Sequence, residues 1–284
     1  ACYELYDTEM HESAVESRQL ESELRRALSE EQLALHYQPI LSTATGRLWG
    51  FEALARWNHP QRGLLDASAW LASVRAAGLS ARLDTWVLAT AIAHLARWRD
   101  RFPERADAML SLNLTGESVL RTETSETILR LCEEHGVHPA TVIVEIAESD
   151  LVEIGEPAVD ALWQLHNRGV RLWIDDFGLG ALPIARLHRL PVDALKVDAR
   201  LIEAINPGED ALEVVRAVEV LGRSFGMTTI AEGIETAEQV REIRRLSIAR
   251  AQGFYLAAPV PADEADQILE RGLDLPMAEL TTSD

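Results

Sequence analysis

The chain has 284 residues, of which 27 are basic, 46 are acidic and 47% are hydrophobic, and its net charge is −19 at pH 7. This composition supports a sizeable core, and the acidic excess argues against binding of DNA, RNA or an anionic membrane surface. The sequence has no apolar run of the roughly 20 residues that span a membrane and no N-terminus typical of a signal peptide. We therefore expect a soluble, cytoplasmic protein, and its two cysteines, Cys2 and Cys132, indicate neither a disulfide framework nor a thiolate metal site.

The first segment, residues 1–30, is charged and helix-forming. Leu20, Leu24 and Leu28 are spaced four apart, which predicts a solvent-facing helical leader that connects an upstream domain to the next one. A helix that mediates dimerisation or relays a signal is the alternative. We predict that residues 31–275 form one folded domain and that residues 276–284 form a C-terminal tail.

From residue 33 onward, strand-like and helix-like segments alternate. The predicted strands are 33–41, 48–57, 109–115, 141–148, 170–177, 194–198, 227–234 and 251–256. The predicted helices are 67–77, 84–100, 116–135, 157–168, 209–224, 236–245 and 262–271. About eight strands separated by helices are typical of a (β/α)8 TIM-like barrel or of a large doubly wound sheet. We favour the barrel, in the α/β class.

Seven of the predicted strands end in polar side chains that are costly to bury. These side chains are Glu52, Asn113, Glu145, Asp175 with Asp176, Lys196 with Asp198, Glu232 and Gln252. The carboxyl ends of barrel strands meet on one face, where active sites lie. The sequence therefore predicts a bowl of carboxylates, amides and one lysine.

Carboxylates that share a pocket raise one another's pKa unless a cation shares it too. Oxygen ligands from Glu52, Asn113, Glu145 and Asp175 suit Mg²⁺, Mn²⁺ or Ca²⁺. Zinc suits this pocket less well, because no histidine lies at the end of a predicted strand. Paired metals that share a bridging carboxylate are a standard device for phosphodiester hydrolysis. Asp176 either binds metal, if the strand bends there, or caps the following loop.

Other polar positions leave alternatives open from the residues alone. Lys196 could orient or deprotonate an attacking water, or extend toward solvent. Arg56 suits a phosphate, or an internal ion pair with the glutamate four residues before it. Gln38 and Gln252 could read a purine edge or satisfy backbone groups.

Eight segments, in this order, resemble the EAL-domain phosphodiesterases that hydrolyse cyclic di-GMP. They are YQPI, EALARW, SLNLTGES, VEIAES, IDDFG, LKVD, AEGIE and QGFYL. The resemblance implies a barrel that uses two Mg²⁺ or Mn²⁺ ions, with Ca²⁺ inhibitory, to hydrolyse one phosphodiester bond of cyclic di-GMP to the linear dinucleotide pGpG. It also implies a homodimer formed through the barrel and a GGDEF cyclase domain before the leader.

The resemblance implies roles for the matching positions. The metal ligands would be Glu52, Asn113, Glu145, Asp175 and Asp176, with Asp175 bridging the two ions. The catalytic residues would be Glu52, Lys196, which acts on the attacking water, and Glu232, which supports the metal and water cluster. The substrate would contact Gln38, Leu54, Arg56, Asp198, Glu235 and Gln252, and Glu148 would hold the loop after IDDFG.

The loop after IDDFG departs from the family's pattern. It reads LGALPIARL, with Leu179, Ala181, Leu182 and Pro183 where polar residues are usual. In the family this loop couples dimerisation to metal binding, so the departure bears on regulation more than on chemistry. The alternative function is a receptor that binds cyclic di-GMP without cleaving it. A glycosidase that uses two carboxylates would leave the amide, the lysine and the paired aspartates without a shared purpose.

Overall fold

The computed structural model describes residues 20–273, apart from residues 21, 120, 153 and 206–209. Its strands are β1 (Leu33–Ser42), β2 (Leu48–His59), β3 (Gly63–Asp66), β4 (Met109–Asn113), β5 (Val142–Ala147), β6 (Arg171–Phe177), β7 (Ala194–Val197), β8 (Thr228–Ala231), β9 (Arg250–Ala251) and β10 (Val260–Pro261). Its α-helices are Leu71–Ala76, Ser80–Arg101, Gly116–Val119, Thr122–Glu134, Glu148–Leu151, Glu156–Asn167, Ile184–Leu187, Ala199–Glu203, Asp210–Ser224, Ala237–Arg245 and Ala262–Arg271. Short 3-10 turns lie at Ala67–Ala69, Pro103–Arg105 and Pro139–Thr141.

Eight of the strands close into a barrel. The order β2–β4–β5–β6–β7–β8–β9 is parallel throughout, and β1 closes the ring by pairing antiparallel with β9 and β2. The short strands β3 and β10 extend the sheet from β2 and β1. The predicted (β/α)8 TIM-like fold is therefore confirmed.

The first barrel strand runs against the other seven. Only residues 43–47 separate β1 from β2, and parallel strands need a crossover of a dozen or more residues. The two strands therefore form a hairpin, whose register places Gln38 opposite Glu52. The absence of a predicted helix between the predicted strands 33–41 and 48–57 agrees with this hairpin.

An apolar layer fills the barrel interior below the polar ring. It consists of the buried side chains Ile40, Met109, Ile143, Trp173, Ala194 and Ile230. Side chains two residues apart on a strand point to the same face, so Trp173 lies one layer below Asp175, and Ala194 one layer below Lys196. The predicted site therefore has an apolar floor. A second, larger cluster combines strand and helix side chains around the barrel.

The end of the predicted leader packs onto the domain. Residues 22–27 are helical, and Leu24 and Ala27 are each 1% exposed and belong to the larger core cluster. Glu23 also lies against His59 at the end of β2, with a carboxylate oxygen 3.0 Å from Nε2. The prediction of a solvent-facing helix is wrong for this turn, because its apolar side chains cover the core. Residues 1–19 and the predicted tail lie outside the described residues.

No helix within the described ranges combines the length and the hydrophobicity that a membrane crossing requires.

Asp266 ties the helix Ala262–Arg271 to the helix Ser80–Arg101. Its carboxylate accepts hydrogen bonds from Trp98 Nε1 at 2.7 Å, Arg97 Nη2 at 3.0 Å and Arg101 Nη1 at 2.6 Å. The Trp98 contact is buried, whereas the two arginines are about half exposed. The tryptophan bond therefore contributes most to the stability of this contact.

Asp266→Ala should lower the free energy of unfolding by about 2 kcal/mol, because it leaves a buried indole N–H without an acceptor. Urea unfolding followed by tryptophan fluorescence measures the change. Glu270→Ala, an exposed position on the same helix, should stay within about 0.5 kcal/mol of the wild type. Equal losses in both variants would contradict the assigned role.

Candidate active site

Four carboxylates and one lysine lie together at the carboxyl end of the barrel. Glu52, Glu145, Asp175 and Lys196 come from β2, β5, β6 and β7, and Glu232 follows β8 directly. Glu145 and Lys196 are fully buried, and Glu52 is 4% exposed. The structure therefore brings together side chains that lie up to 180 residues apart in the sequence.

Lys196 is the centre of this group. Its Nζ lies 2.5 Å from Glu145 Oε2, 2.6 Å from Glu232 Oε1, 3.1 Å from Asp175 Oδ1 and 3.3 Å from Glu52 Oε2. Burial alone would lower the pKa of Lys196, but the four carboxylates outweigh it and raise that pKa well above its usual range. Lys196 is therefore an ammonium that donates hydrogen bonds, and the alternative of a side chain that extends to solvent does not hold.

Two amides complete the ring around Glu52. Asn113 Nδ2 donates to Glu52 Oε1 at 2.6 Å, and Gln252 Nε2 donates to Glu52 Oε2 at 2.5 Å and to Glu232 Oε1 at 2.8 Å. Burial would raise the pKa of Glu52, but Lys196 and these amides outweigh burial and lower the pKa. Gln252 thus binds carboxylates here, rather than the backbone.

One ammonium does not neutralise the four carboxylates. Burial raises the pKa of Glu145 well above its usual range, and the charge of Glu52 adds to this effect. Burial and then the charge of Asp175 do the same for Glu232. Glu145 Oε1 is buried and has no hydrogen-bond partner in the described part of the chain. A buried, unpartnered carboxylate oxygen in a group with excess negative charge is what a further cation would satisfy.

The carboxylates form two overlapping groups of a size that fits a metal ion. Oxygens of Glu52, Glu145 and Asp175 lie within 4.8 Å of one another, and so do oxygens of Asp175, Asp176 and Glu232. Asp175 belongs to both groups. The donor set, oxygens only, fits hard divalent cations.

Asp176 reaches the site because β6 bends there. Its φ is +53°, a value that residues other than glycine rarely adopt, and the pairing of β6 with β7 shifts between Ile174 and Phe177. In a regular strand the side chains of Asp175 and Asp176 would point to opposite faces. The bend brings the second carboxylate to the same pocket.

The Glu148 side chain holds the loop after β6 through hydrogen bonds from the backbone of that loop. Glu148 Oε2 accepts hydrogen bonds from the amides of Gly178 and Gly180, each at 3.1 Å, and Oε1 accepts one from Leu182 at 3.0 Å. A Cβ at Gly180 would lie 2.3 Å from the Glu148 carboxyl carbon, so the close approach requires glycine. The loop is therefore fixed beside Asp176 through main-chain contacts.

Arg56 makes an ion pair, but its partner is not Glu52. Arg56 Nε lies 2.9 Å from Asp66 Oδ1, and Nη1 donates to the carbonyl oxygen of Ala55 at 2.9 Å. Asp66 ends β3, which pairs with β2 beside Arg56. The side chain of Asp66 is 70% exposed, whereas that of Arg56 is 10% exposed.

Two of the remaining predicted substrate contacts bind partners other than the carboxylates. Gln38 Nε2 donates to the carbonyl oxygen of Ala257 at 3.2 Å, so one end of this amide satisfies the backbone. Asp198 caps the helix that follows β7, accepting hydrogen bonds from the amide of Arg200 at 2.8 Å and from its guanidinium. Glu235 is exposed.

A cavity of about 340 Å³ adjoins the metal-sized groups. It is lined by Leu54 and by Asn113, Asp175 and Asp176. Space for a ligand therefore lies directly beside the carboxylates.

Four other residues of this cavity were missed as candidates. They are Arg75, Asp84, Thr115 and Asp150. Thr115 Oγ1 donates to Asp84 at 2.8 Å, and the amide of Gly116 donates to Asp150 at 2.9 Å. Arg75, Asp84 and Asp150 lie on helices, so a search of strand ends does not find them, and Thr115, the last residue of the predicted strand 109–115, was not considered. The SLNLTGES segment, which contains Thr115, was the available signal.

The EAL domain family model matches residues 21–259 of the chain. MucR of Pseudomonas aeruginosa, named a bifunctional diguanylate cyclase/cyclic di-GMP phosphodiesterase, is 34% identical over 262 residues, which are 92% of this chain and 38% of MucR. NbdA of the same species, named a cyclic di-GMP phosphodiesterase, is 33% identical over 256 residues, 90% of this chain and 32% of NbdA. The chain thus spans about a third of the length of these relatives. The solved PaMucR phosphodiesterase in complex with c-di-GMP has a TM-score of 0.83 and 34% identity, covering 87% of this chain and 99% of that one.

Glu148→Gln should loosen the loop after β6, because the new NH₂ group would face a backbone N–H instead of accepting from it. We expect hydrogen exchange at the amides of Gly178, Gly180 and Leu182 to become about 10- to 100-fold faster, measured by mass spectrometry. Glu156→Gln, at an exposed carboxylate, should leave these amides unchanged. Unchanged exchange in Glu148→Gln would refute this role.

Proposed function

This chain belongs to the EAL domain family, and we propose that it hydrolyses one phosphodiester bond of cyclic di-GMP to the linear dinucleotide pGpG with the help of divalent metal. The observation that carries the proposal is the set of four carboxylates around the single ammonium of Lys196. The names of MucR, NbdA and the PaMucR complex support the substrate.

We propose that two Mg²⁺ or Mn²⁺ ions bind, one held by Glu52, Asn113, Glu145 and Asp175 and the other by Asp175 and Asp176. The support is the oxygen donor set, its two overlapping groups and the unpartnered Glu145 Oε1. Such ions would activate water and neutralise charge on the phosphate.

The chain's own side chains would position the reactants. Lys196, fixed among four carboxylates, donates to the attacking water and orients it, while Glu232 holds both Lys196 and Gln252 in place. The oxygen of the water bonds to phosphorus as the bond to the ribose 3′ oxygen breaks. That oxygen takes a proton, and the phosphate stays on the 5′ oxygen of pGpG.

Arg56 would bind a phosphate of the substrate. Its partner Asp66 is mostly exposed, and an ion pair of this kind is worth little in water, so a phosphate can replace the carboxylate at small cost. The other proposed substrate contacts are Gln38, Leu54, Asp198, Glu235 and Gln252.

We also propose that the domain works in the cytoplasm as a homodimer formed through the barrel. Two large apolar side chains of the loop after β6 support such a contact, since Leu179 is 49% exposed and Ile184 is 58% exposed. Light scattering of the wild type and of Ile184→Glu tests the dimer.

The melting temperature should be several degrees higher in Mg²⁺ than in chelator. An ion that binds only the folded protein, at a concentration 100 times its Kd, stabilises the fold by about 2.7 kcal/mol. Asp175→Asn should reduce the shift strongly, because Asp175 belongs to both carboxylate groups. Differential scanning calorimetry measures the shifts. Asp160→Asn, at an exposed helix position, should keep the wild-type shift. A full shift in Asp175→Asn would place the ion elsewhere.

Purified wild type should convert cyclic di-GMP to pGpG in Mg²⁺ or Mn²⁺, as followed by chromatography, and should bind it without cleavage in Ca²⁺. Glu52→Gln should lower the rate at least about 100-fold, since it removes a proposed metal ligand. Glu104→Gln, an exposed carboxylate, should retain the wild-type rate.

The same assay separates the two candidate functions. Tight binding by the wild type without cleavage in either metal would favour the receptor. Neither binding nor cleavage would overturn both.

A further inference from the structure

A concave site of about 670 Å³ lies at the amino-terminal end of the barrel. Its lining includes Trp49 near the start of β2, Arg250 on β9, and Arg244 in the last turn of the helix before β9. Trp49 precedes Glu52 by three residues, and Arg250 precedes Gln252 by two. The site therefore lies below the apolar layer, at the opposite end of the barrel from the carboxylates.

Arg250 is a largely buried cation with no anionic partner among the residues that the structure describes. Its guanidinium lies 4.0 Å from the ring centroid of Trp49, which stacks on Trp173 with a centroid distance of 5.4 Å. Burial lowers the pKa of Arg250 to about 10, and the nearby Arg171 contributes. Within the described ranges no carboxylate pairs with Arg250. The aromatic face offsets only part of the cost of burying this charge.

Arg244 supplies a second unsatisfied donor. Its Nη1 is buried and has no hydrogen-bond partner in the described part of the chain. The next residue, Arg245, behaves differently: its Nη1 lies 2.5 Å from Glu242, and its side chain is 69% exposed. Arg244, which lines the cavity, therefore differs from Arg245: among the described residues its Nη1 has no acceptor. Buried donors of this kind are normally paired.

We propose that this end of the barrel binds a small phosphate-bearing anion between Arg244 and Arg250. Guanidinium forks match phosphate oxygens, and Ser42 and Ser247 add hydroxyl groups to the lining. A chain of net charge −19 repels anions in general, so an anion binds only where cations are concentrated. A small ligand fits because the site is concave and its guanidinium groups are recessed. Free phosphate and the phosphate of a mononucleotide share this chemistry.

Isothermal titration calorimetry in chelator tests the proposal, with inorganic phosphate, pyrophosphate and GMP as separate probes. We expect saturable binding of at least one probe, weakened 10-fold or more by Arg244→Gln. Arg245→Gln is the matched control beside it, and Arg56→Gln is the control for the substrate groove, and both should stay within twofold of the wild type. Binding of GMP at least 10-fold tighter than of phosphate would identify a nucleotide ligand, and equal binding would identify the phosphate alone.

Three results would overturn the proposal. They are no saturable binding of any probe up to millimolar concentration, wild-type binding in Arg244→Gln, and equal loss in Arg56→Gln. A measurement on the unmodified protein guards against misfolding of a variant. The indole N–H signal of Trp49, assigned by its absence in Trp49→Phe, should shift on titration with the same affinity, and a signal that does not move would also overturn the proposal.

Discussion

The architecture of the site depends on the contact of Lys196 with four carboxylates. Lys196 is fully buried, and a buried ammonium is stable only when anions surround it. The carboxylates depend on it equally, because without it Glu52 and Glu145 would repel each other across a small distance. The apolar layer beneath, which includes Trp173, keeps water from screening these charges from below. One residue of β7 thereby links side chains of β2, β5 and β6 and the residue that follows β8.

The antiparallel first strand determines which side chains lie beside the carboxylates on this side of the barrel. Because β1 forms a hairpin with β2, Gln38 lies opposite Glu52, and β3 continues the same sheet to place Asp66 beside Arg56. A parallel first strand would have required a helix between β1 and β2. The cavity beside the carboxylates is therefore bounded by extended chain on this side, where Arg56 pairs with the mostly exposed Asp66.

Periodicity and strand-end polarity were enough to predict the barrel and the meeting of the carboxylates, because both follow from the two-residue repeat and from the geometry of parallel strands. The individual partners of other side chains were not predictable in this way. The pairing of Arg56 with Asp66 depends on β3, and the burial of Leu24 depends on the surface it meets. The position of Asp176 required a positive φ that its residue type does not indicate. The sequence did not indicate a role for Arg244 and Arg250, because only the described structure shows that they are buried without acceptors there.

Because Glu148 binds the backbone of the loop after β6, most side chains of that loop are free to change. Among the described residues, the carboxylate accepts hydrogen bonds only from the amides of Gly178, Gly180 and Leu182, and every residue type except proline carries such an amide. Apart from Gly180, which has to be glycine, side chains in this loop can therefore be exchanged while the main chain keeps its course beside Asp176. The loop that contains LGALPI is held through these amides, so its apolar side chains do not by themselves mark a protein that has lost the proposed activity. Replacement of Glu148, or of Gly180 packed against it, would be a more informative sign that a relative has lost the proposed activity.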